Sequence, residues 1–262
     1  MSANGKIVII IPARYQSSRF PGKPLTMLNG KSLAQRCVES ASKVPGVDAV
    51  YLATDDARIQ DHVESFGGKV LMTPESCENG TARCAAALSL LPQEPEIVIN
   101  WQGDSPLIEA GYVKALTDAL RANPDAELVT PVIRCDETLF SQLRNERKAG
   151  RVGGVAAIRS HSGRALYFSR ELIPWADQIN SAADHGYFFH IGMYGYRPAV
   201  LRQYQQWPMG PLEKIEMLEQ LRFIENDRHV QAVEVPGRGH WEVNYPEDVP
   251  LVERLLREHG LD

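Results

Sequence analysis

The sequence predicts an α/β fold built on a doubly wound, mostly parallel sheet, with a smaller and partly antiparallel insert. Continuous apolar runs rich in β-branched residues recur through the first hundred residues, and helical patterns separate them. A strand buried on both faces of a parallel sheet has such a run, and regular strand–helix alternation is typical of parallel sheets. The alternation stops after residue 134, so we expect the insert there.

The elements of the first half follow from these patterns in order. A strand is expected at 6–11, where KIVIII is apolar after its lysine. The next stretch, 12–25, cannot be helical because three prolines and a glycine interrupt it. Helical periodicity resumes at 32–42, and the alternation then continues. The further strands are expected at 48–54, 69–72 and 96–100, and the further helices at 55–66 (capped by Asp55 or Asp56), 81–91 and 109–122.

The second half contains shorter elements. Strands are expected at 152–158 and 165–169, and HIGMYGYR (190–197) is typical of a strand with one buried face. The segment 211–222 predicts one helix, with Pro211 in its first turn and a core-facing stripe of leucines and an isoleucine. That stripe consists of Leu212, Ile215, Leu218 and Leu221. A last helix is expected after Pro246, capped by Glu247 or Asp248.

We expect three regions within a single structural domain. They are an α/β core at 1–134, an insert at 135–200, and a return to the core with a C-terminal helix at 201–262.

Composition excludes several classes of protein. Lysine and arginine number 28 against 33 aspartates and glutamates, a net charge of −5, which argues against a nucleic-acid binder. No apolar run approaches the roughly 20 residues of a membrane span, and the start of the chain lacks a secretory pattern. The four cysteines form no CxxC pair, which favours reduced thiols over a zinc site. We expect a cytoplasmic protein without a membrane partner.

Charged residues follow two of the predicted strands, where ligands bind in parallel sheets. The first loop carries cations, hydroxyls and a glycine, which suits a polyphosphate, although a solvated basic loop is equally compatible. These residues are Arg14, Ser17, Ser18, Arg19, Gly22 and Lys23. The loop lacks both the Walker A spacing and a GxGxxG fingerprint. Asp104, after the fourth strand, is a candidate Mg²⁺ ligand or a simple turn residue. Together the two loops suggest a nucleotidyltransferase.

Eight blocks of the sequence carry a more specific likeness. They are IPARYQSSRFPGKPL, YLATDD, FGGKVLMT, NGTAR, NWQGDSPLI, RALYFSRELIPW, HIGMYGYR and PLEKIEMLEQLR. These blocks resemble the 3-deoxy-manno-octulosonate (Kdo) cytidylyltransferase family over nearly the whole chain. The resemblance implies that CTP and Kdo, an acidic eight-carbon sugar, react to CMP-Kdo and pyrophosphate with Mg²⁺ as cofactor. It further implies that the core at 1–134 binds the nucleotide and that the insert at 135–200 serves sugar binding and dimerisation. It also implies a homodimer that serves lipopolysaccharide synthesis.

The resemblance implies roles for individual residues. The catalytic set is Arg14, Arg19, Lys23 and Asp104, and the metal ligands are Asp104 and Asn244. The nucleotide set is Ala13, Arg14, Ser18, Arg19, Lys23, Thr54, Asp55, Asn79, Gly80, Thr81 and Arg83. The sugar set is Gln102, Tyr167, Arg170, His190, Tyr194, Glu219 and Gln220. Arg170 is the expected partner of the sugar carboxylate, because a guanidinium binds a carboxylate bidentately.

Structural roles remain open for several members of the sugar set. Tyr167 could be a core strand residue, Arg170 a surface ion pair and His190 a satisfied buried histidine. Glu213 and Gln220 are seven residues apart and share a helix face, so this polar edge could border a pocket.

The chain departs from the family pattern at five positions. Ser105 stands where the family usually has glutamate, and Val155 where it has lysine. Asn244 replaces an aspartate that is a second metal ligand, and an amide oxygen binds Mg²⁺ without supplying charge. His240 and Trp241 replace smaller residues.

Two alternatives therefore stay open beside a Kdo enzyme. One is a cytidylyltransferase for a related acid, such as 8-amino-Kdo, another ulosonate or a phosphonate, which the departures favour. The other is a CTP-binding homologue without turnover, which only the missing aspartate favours. The intact Arg19, Lys23 and Asp104 count against the second alternative.

Overall fold

A computed structural model describes residues 5–17, 19–150, 154–175, 186–237 and 242–261. The strands are β1 (Ile7–Pro12), β2 (Met27–Leu28), β3 (Lys31–Ser32), β4 (Ala49–Thr54), β5 (Val70–Met72), β6 (Ile97–Trp101), β7 (Leu128–Arg134), β8 (Val155–Arg159), β9 (Ala165–Ser169), β10 (Phe188–His190), β11 (Met193–Tyr196) and β12 (Val230–Glu234). The helices are α1 (Leu33–Ser42), α2 (Ala57–Ser65), α3 (Gly80–Leu88), α4 (Ala110–Ala122), α5 (Glu137–Lys148), α6 (Pro198–Tyr204), α7 (Pro211–Glu216), α8 (Leu221–Glu225) and α9 (Val249–Glu258).

The described chain divides into two compact units. The first takes in the described parts of 1–113, 196–202 and 239–262, and the second those of 114–195 and 203–238. The expected division into regions after residues 134 and 200 stays a prediction.

The first unit is built on a parallel sheet. Its described strands lie side by side in the order β5, β4, β1, β6, and every pair in that order runs parallel. Strand β1 has a partner on each side, and Ile9, Ile10 and Ile11 are completely buried. The continuous apolar run at 6–11 therefore reflects a central strand, and the expected α/β fold with a mostly parallel sheet is confirmed. The carboxyl ends of all these strands meet at one edge.

Side-chain caps begin three helices of this unit. Ser32 accepts a hydrogen bond from the amide of Gln35 at the start of α1, and Asp56 caps α2 in the same way. Asn79 caps α3 through the amide of Ala82. These caps satisfy amides that have no partner within the helix. Of the two carboxylates expected to cap α2, Asp56 is the one that does so.

The second unit contains the antiparallel part of the fold. Its described strands follow the order β11, β7, β10, β8, β9, and the pairs β7–β10, β10–β8 and β8–β9 are antiparallel. Strand β12 pairs with β7 in parallel. The expectation of a partly antiparallel region is confirmed. The expected strand at 152–158 is β8, and its first two residues lie outside the described part. The expectation of one buried face at 190–197 is wrong for β11, which is buried on both faces.

The single helix expected at 211–222 is also wrong. The segment forms α7 and α8, and Met217 between them has a left-handed backbone with φ of 55°. Ile215 is 78% exposed, so the expected core stripe does not exist there, although Leu218 and Leu221 are buried. The carboxylate of Glu225 on α8 accepts hydrogen bonds from the first backbone amides of α7. These bonds hold the two short helices against each other.

Two further observations concern expected chemistry. All four cysteines are free thiols. No helix within the described ranges has the length and apolarity that crossing a bilayer requires.

Candidate functional site

A lysine–carboxylate pair lies at the carboxyl edge of the parallel sheet. Lys23, in the loop after β1, places its Nζ 2.8 Å from Oδ2 of Asp104, in the loop after β6. The strands β1 and β6 are neighbours, so both loops leave the sheet at the same edge. Gly103 allows the close approach, because a Cβ there would lie 2.6 Å from the carbonyl oxygen of Pro12. The two side chains are 17% and 24% exposed, so the pair is accessible to a ligand.

Two further hydrogen bonds hold Asp104, one to its side chain and one to its backbone carbonyl. The Ser105 hydroxyl donates to Oδ1 at 3.3 Å, and Ser105 itself is completely buried. The amide of Val243 donates to the carbonyl oxygen of Asp104 at 2.9 Å. This bond brings the segment from residue 242 onward beside Asp104. The nearby Gln102 is partly exposed, and its carbonyl accepts from the Ser105 amide at 3.2 Å.

Asn244 belongs to that segment and contacts a carboxylate. Its Nδ2 donates to Oε2 of Glu242 at 3.1 Å, and its Oδ1 accepts no hydrogen bond from the described part of the chain. The backbone amides of Asn244 and Tyr245 both donate to Asp248 at 2.8 Å. The Asp248 carboxylate therefore closes this turn. Asp248 is the N-cap residue of α9, but its side chain makes no capping hydrogen bond to that helix. His240 and Trp241 lie outside the described residues.

The loop after β1 presents its cations to solvent. Arg14 and Arg19 are exposed, and the Arg19 guanidinium lies 5.6 Å from the centre of the Tyr245 ring. Gly22 has φ of 72°, a left-handed conformation that favours glycine, and its amide donates to the carbonyl of Tyr15. Ser18 lies outside the described residues. The loop thus carries two exposed cations, Arg14 and Arg19, that precede Lys23 by a few residues along the chain. Its turn depends on the left-handed conformation of Gly22.

The start of α3 collects part of the expected nucleotide set. Arg83 is 3% exposed and donates through Nη2 to Oδ2 of Asp55 at 3.0 Å. Its Nη1 donates to the hydroxyl of Thr73 at 2.7 Å, and the carbonyl of the buried Thr54 accepts from the same hydroxyl. Arg83 thus fixes the end of β4 against α3. The Ala13 amide, at the end of β1, donates to the carbonyl of Ala53 at 2.8 Å.

A buried chain of hydroxyl and amide groups supports the first turn of α3. Thr81 shares a hydrogen bond of 2.7 Å with the hydroxyl of Tyr196, and Asn100 Nδ2 donates to that hydroxyl at 3.4 Å. Asn79 and Gly80, which begin the helix, are partly exposed beside it. The sequence did not identify Tyr196 or Asn100. The only signal was their position at the end of predicted strands.

In the second unit, five members of the expected sugar set lie in two clusters. His190 is buried, and its Nε2 lies 2.8 Å from the Thr130 hydroxyl. That hydroxyl already donates to the carbonyl of Met193, so we assign the shared proton to His190 Nε2. The rings of Phe168 and Tyr194 lie 5.0 and 5.6 Å from the imidazole. Val155 is the residue opposite His190 in the β8–β10 pair.

Tyr194 connects this cluster to the start of α8. Its hydroxyl donates to Oε1 of Gln220 at 3.0 Å, and both residues are buried. The Nε2 of Gln220 is buried and has no hydrogen-bond partner within the described ranges. Glu219 is partly exposed. A buried donor of this kind is costly unless a water molecule or a ligand accepts from it.

Arg170 and Tyr167 form the second cluster, around Glu216. Arg170 donates through Nε to the Glu216 carbonyl at 2.6 Å and through Nη2 to the Met217 carbonyl at 3.2 Å. Burial raises the pKa of Tyr167, and the negative charge of Glu216 raises it further. The sequence did not single out Glu216, because the contact joins two segments distant along the chain.

A polar edge that had been expected at Glu213 and Gln220 is not exposed. Glu213 forms a buried bidentate ion pair with Arg222, with distances of 2.5 and 2.9 Å. Within the described chain, no three or more histidine, cysteine, aspartate or glutamate side chains gather as a metal site would require.

Known proteins match this chain over nearly its whole length. A family model described as cytidylyltransferase matches residues 8–230. The chain is 38% identical over 256 residues to 3-deoxy-manno-octulosonate cytidylyltransferase of Maricaulis maris, covering 97% of this chain and 98% of that relative. It is 40% identical over 247 residues to the protein of the same description in Chlamydia pneumoniae, covering 94% of this chain and 92% of the relative.

Solved structures agree with the sequence relatives. The structure of CMP:2-keto-3-deoxy-manno-octonic acid synthetase complexed with CTP superposes with a TM-score of 0.85 at 35% identity, covering 97% of this chain and 99% of that one. The 4-diphosphocytidyl-2C-methyl-D-erythritol synthase of Anaerococcus prevotii has a TM-score of 0.62 at 14% identity over 96% of both chains, and it shares the fold. The chain therefore belongs to the cytidylyltransferases, in the 3-deoxy-manno-octulosonate cytidylyltransferase family.

Proposed function

We propose that this protein transfers the cytidylyl group of CTP to Kdo and releases pyrophosphate. The observation that carries the proposal is the Lys23–Asp104 pair at the carboxyl edge of the parallel sheet, in a chain of this family. The anomeric 2-hydroxyl oxygen of Kdo forms a bond to the α-phosphorus of CTP. The bond from that phosphorus to the bridging oxygen breaks, pyrophosphate leaves with the electron pair, and the hydroxyl proton passes to solvent.

In this proposal the loop after β1 binds the triphosphate. Arg14 and Arg19 are exposed cations, and Lys23 is a partly buried one. Such a reaction depends on positioning and on neutralising the charge that develops on phosphate oxygens. Fixed cations meet that need without a nucleophilic side chain. Ser18 belongs to the proposed triphosphate set by family resemblance.

The cytidine is proposed to bind around the ends of β1 and β4 and the start of α3. The residues are Ala13, Thr54, Asp55, Asn79, Gly80, Thr81 and Arg83. The Arg83–Asp55 pair and the Thr81–Tyr196 bond support this, because they hold the two elements in fixed positions. Pre-organised groups of this kind lower the entropic cost of binding.

The donor set beside Lys23 fits Mg²⁺. Asp104 offers carboxylate oxygens. Asn244 donates through Nδ2 to Glu242, and its oxygen has no donor among the described residues. Hard oxygen ligands in small number suit Mg²⁺, which keeps several waters and binds substrate phosphates. Bound Mg²⁺ supplies neutralisation of phosphate charge as a Lewis acid. Lys23 holds Oδ2 of Asp104, and Ser105 holds Oδ1, so the carboxylate keeps one orientation.

The acidic sugar is proposed to bind through polar residues of the second unit. Gln102 belongs to the proposed sugar set by family resemblance. Arg170 would pair with the Kdo carboxylate. Hydroxyls of the sugar would meet the free Nε2 of Gln220 and the polar side chains near it. The proposed partners are Tyr167, His190, Tyr194, Glu219 and Gln220.

A related acid is the second candidate substrate, and one observation favours it. Val155 lies opposite His190 across the β8–β10 pair, so a departure from the family pattern falls directly beside a proposed sugar residue. A changed side chain there can alter which sugar substituents are accepted.

The assembly and the cellular setting are proposed from the family resemblance. We propose a homodimer that works in the cytoplasm and supplies CMP-Kdo for lipopolysaccharide synthesis.

Product identification tests the proposal. The protein is incubated with CTP, Kdo and Mg²⁺, and the phosphorus signals are followed by NMR. We expect the three CTP signals to be replaced by one phosphodiester signal and pyrophosphate. Asp104→Ala is the control and should leave CTP intact. Release of inorganic phosphate without a phosphodiester would contradict a cytidylyl transfer.

A further inference from the structure

The carboxylate of Glu216 organises the end of strand β9. Its Oε1 accepts a hydrogen bond from the Ser169 hydroxyl at 2.6 Å, and its Oε2 accepts from the backbone amide of Arg170 at 2.8 Å. Tyr167 lies two residues before Ser169, on the same face of the strand, and its pKa responds to the same carboxylate. One acidic side chain at the end of α7 therefore fixes the backbone and a side chain of β9.

The carbonyls that follow Glu216 fix the side chain of Arg170. Nε donates to the carbonyl of Glu216 at 2.6 Å, and Nη2 donates to the carbonyl of Met217 at 3.2 Å. Met217 follows the last residue of α7 and has a left-handed backbone with φ of 55°, which ends the helix. The last carbonyls of a helix lack partners within it, and here the guanidinium supplies them.

The charge of Arg170 is left uncompensated by this arrangement. Within the described residues, both hydrogen bonds of its side chain go to neutral carbonyls. The carboxylate of Glu216 instead accepts from the Ser169 hydroxyl and the Arg170 backbone amide. Arg170 forms no ion pair within the described residues, and its Nη1 has no hydrogen-bond partner there. A fixed guanidinium with a free edge and no counter-ion is suited to an anionic ligand.

We propose that Glu216 is a positioning residue for the sugar acid: it locks Arg170 so that the free edge of the guanidinium receives the substrate carboxylate. The inference rests on the proposed function, which gives Arg170 that partner. Fixing a long side chain before binding removes an entropic cost that binding would otherwise carry. The expected effect is therefore on sugar affinity and not on CTP.

The test is the kinetics of Glu216→Gln. Glutamine keeps the shape but loses the charge and one acceptor, so the Arg170 amide or Ser169 loses its partner. We expect the KM for Kdo to rise roughly 10-fold, as loss of one hydrogen bond to a charged group implies. The KM for CTP should stay within about twofold, and kcat should change little. Glu216→Asp keeps the carboxylate and should recover part of the Kdo affinity.

Glu225→Gln is the matched control. Glu225 is also a carboxylate that accepts two hydrogen bonds, from the amides of Leu212 and Glu213 at the start of α7. Its removal should lower the melting temperature and leave the ratio of the two KM values unchanged. If Glu216 had only a structural role, both variants would behave like this control.

A double mutant tests whether Glu216 affects Kdo binding through Arg170 or independently of it. In an Arg170→Ala background, Glu216→Gln should add no further rise in the KM for Kdo, because the residue acts through Arg170. An independent rise of the same size would overturn the proposal, as would an unchanged KM for Kdo in the single variant. Should Glu216→Gln fail to fold, Ser169→Ala removes one of the two carboxylate contacts and should raise the KM for Kdo about threefold.

Assaying the wild-type chain with Kdo distinguishes failure of the proposed function from failure of the Glu216 inference. If it releases no pyrophosphate with Kdo, the proposed function and the Glu216 inference both fail. If it does, and the KM for Kdo is the same in Glu216→Gln, only the inference about Glu216 fails.

Discussion

Replacing Lys23 by methionine tests whether the charge of this side chain contributes to catalysis or to the stability of the fold. Methionine matches the length of lysine and removes only the charge and the hydrogen-bond donors. The lysine Nζ lies 2.8 Å from Oδ2 of Asp104, so the substitution leaves that carboxylate with the Ser105 hydroxyl as its side-chain partner. We expect activity to fall steeply while the fold stays nearly as stable.

The distance and the exposure set the two magnitudes. Two unit charges at 2.8 Å attract by roughly 6 kcal/mol at an effective dielectric constant of 20. The side chains are 17% and 24% exposed, and solvent and desolvation reduce the net stabilisation to about 1 kcal/mol. That corresponds to a melting temperature lower by roughly 2–4 °C. A fixed charge facing phosphate oxygens in the transition state contributes about 3 kcal/mol, or roughly a hundredfold or more in kcat.

The assay combines pyrophosphate release with thermal unfolding. Lys31→Met is the matched control, since Lys31 also pairs with a carboxylate, Glu39, at 2.6 Å and is partly exposed. We expect a similar small change in melting temperature for both variants, and lost activity for Lys23→Met alone. A Lys23→Met variant within about threefold of wild-type kcat would refute a role for this cation in the reaction.

Three further outcomes follow from the described contacts. Glu213→Gln leaves the buried guanidinium of Arg222 without its counter-ion and should reduce the free energy of unfolding, measured in urea, by about 3–5 kcal/mol. A loss under about 1 kcal/mol would contradict this expectation. Asn244→Asp adds a charge beside Asp104 and should lower the Mg²⁺ concentration for half-maximal activity several-fold, whereas an unchanged metal dependence would exclude a ligand role. Burial raises the pKa of the Cys135 thiol to about 12. The neutral thiol therefore favours the folded state, and this stability is lost as pH rises from about 9 towards 12, so Cys135→Ala should flatten the alkaline decline of unfolding free energy. Equal slopes for the two proteins would contradict it.

Strand–helix alternation was sufficient to predict the sheet of the first unit. The run at 6–11 is apolar throughout because β1 has a partner on each side and covered faces. Parallel strands end at one edge, so the position of Lys23 and Asp104 after neighbouring strands already implied that they could meet. Local pattern and topology are enough for contacts of this type.

The α7–α8 region shows where such reasoning fails. The apolar spacing at 211–222 satisfies a helix, yet Met217 takes a left-handed conformation that no residue preference predicts. Two sets of hydrogen bonds stabilise the break. The Glu225 carboxylate accepts from the first amides of α7, and the Arg170 guanidinium donates to the carbonyls of Glu216 and Met217. Contacts of the latter kind join segments more than 40 residues apart, and no periodicity in the sequence reports them.

The rate of pyrophosphate release tests the proposed function most directly. CTP and Mg²⁺ are supplied with Kdo, with 8-amino-Kdo or with no sugar, and initial rates are compared at equal enzyme concentration. We expect release to be fast with Kdo and negligible without sugar. Release with 8-amino-Kdo alone would assign the Val155 and Asn244 departures to substrate choice and contradict Kdo as the substrate. Silence with both acids, in a protein that still binds CTP, would contradict turnover on either.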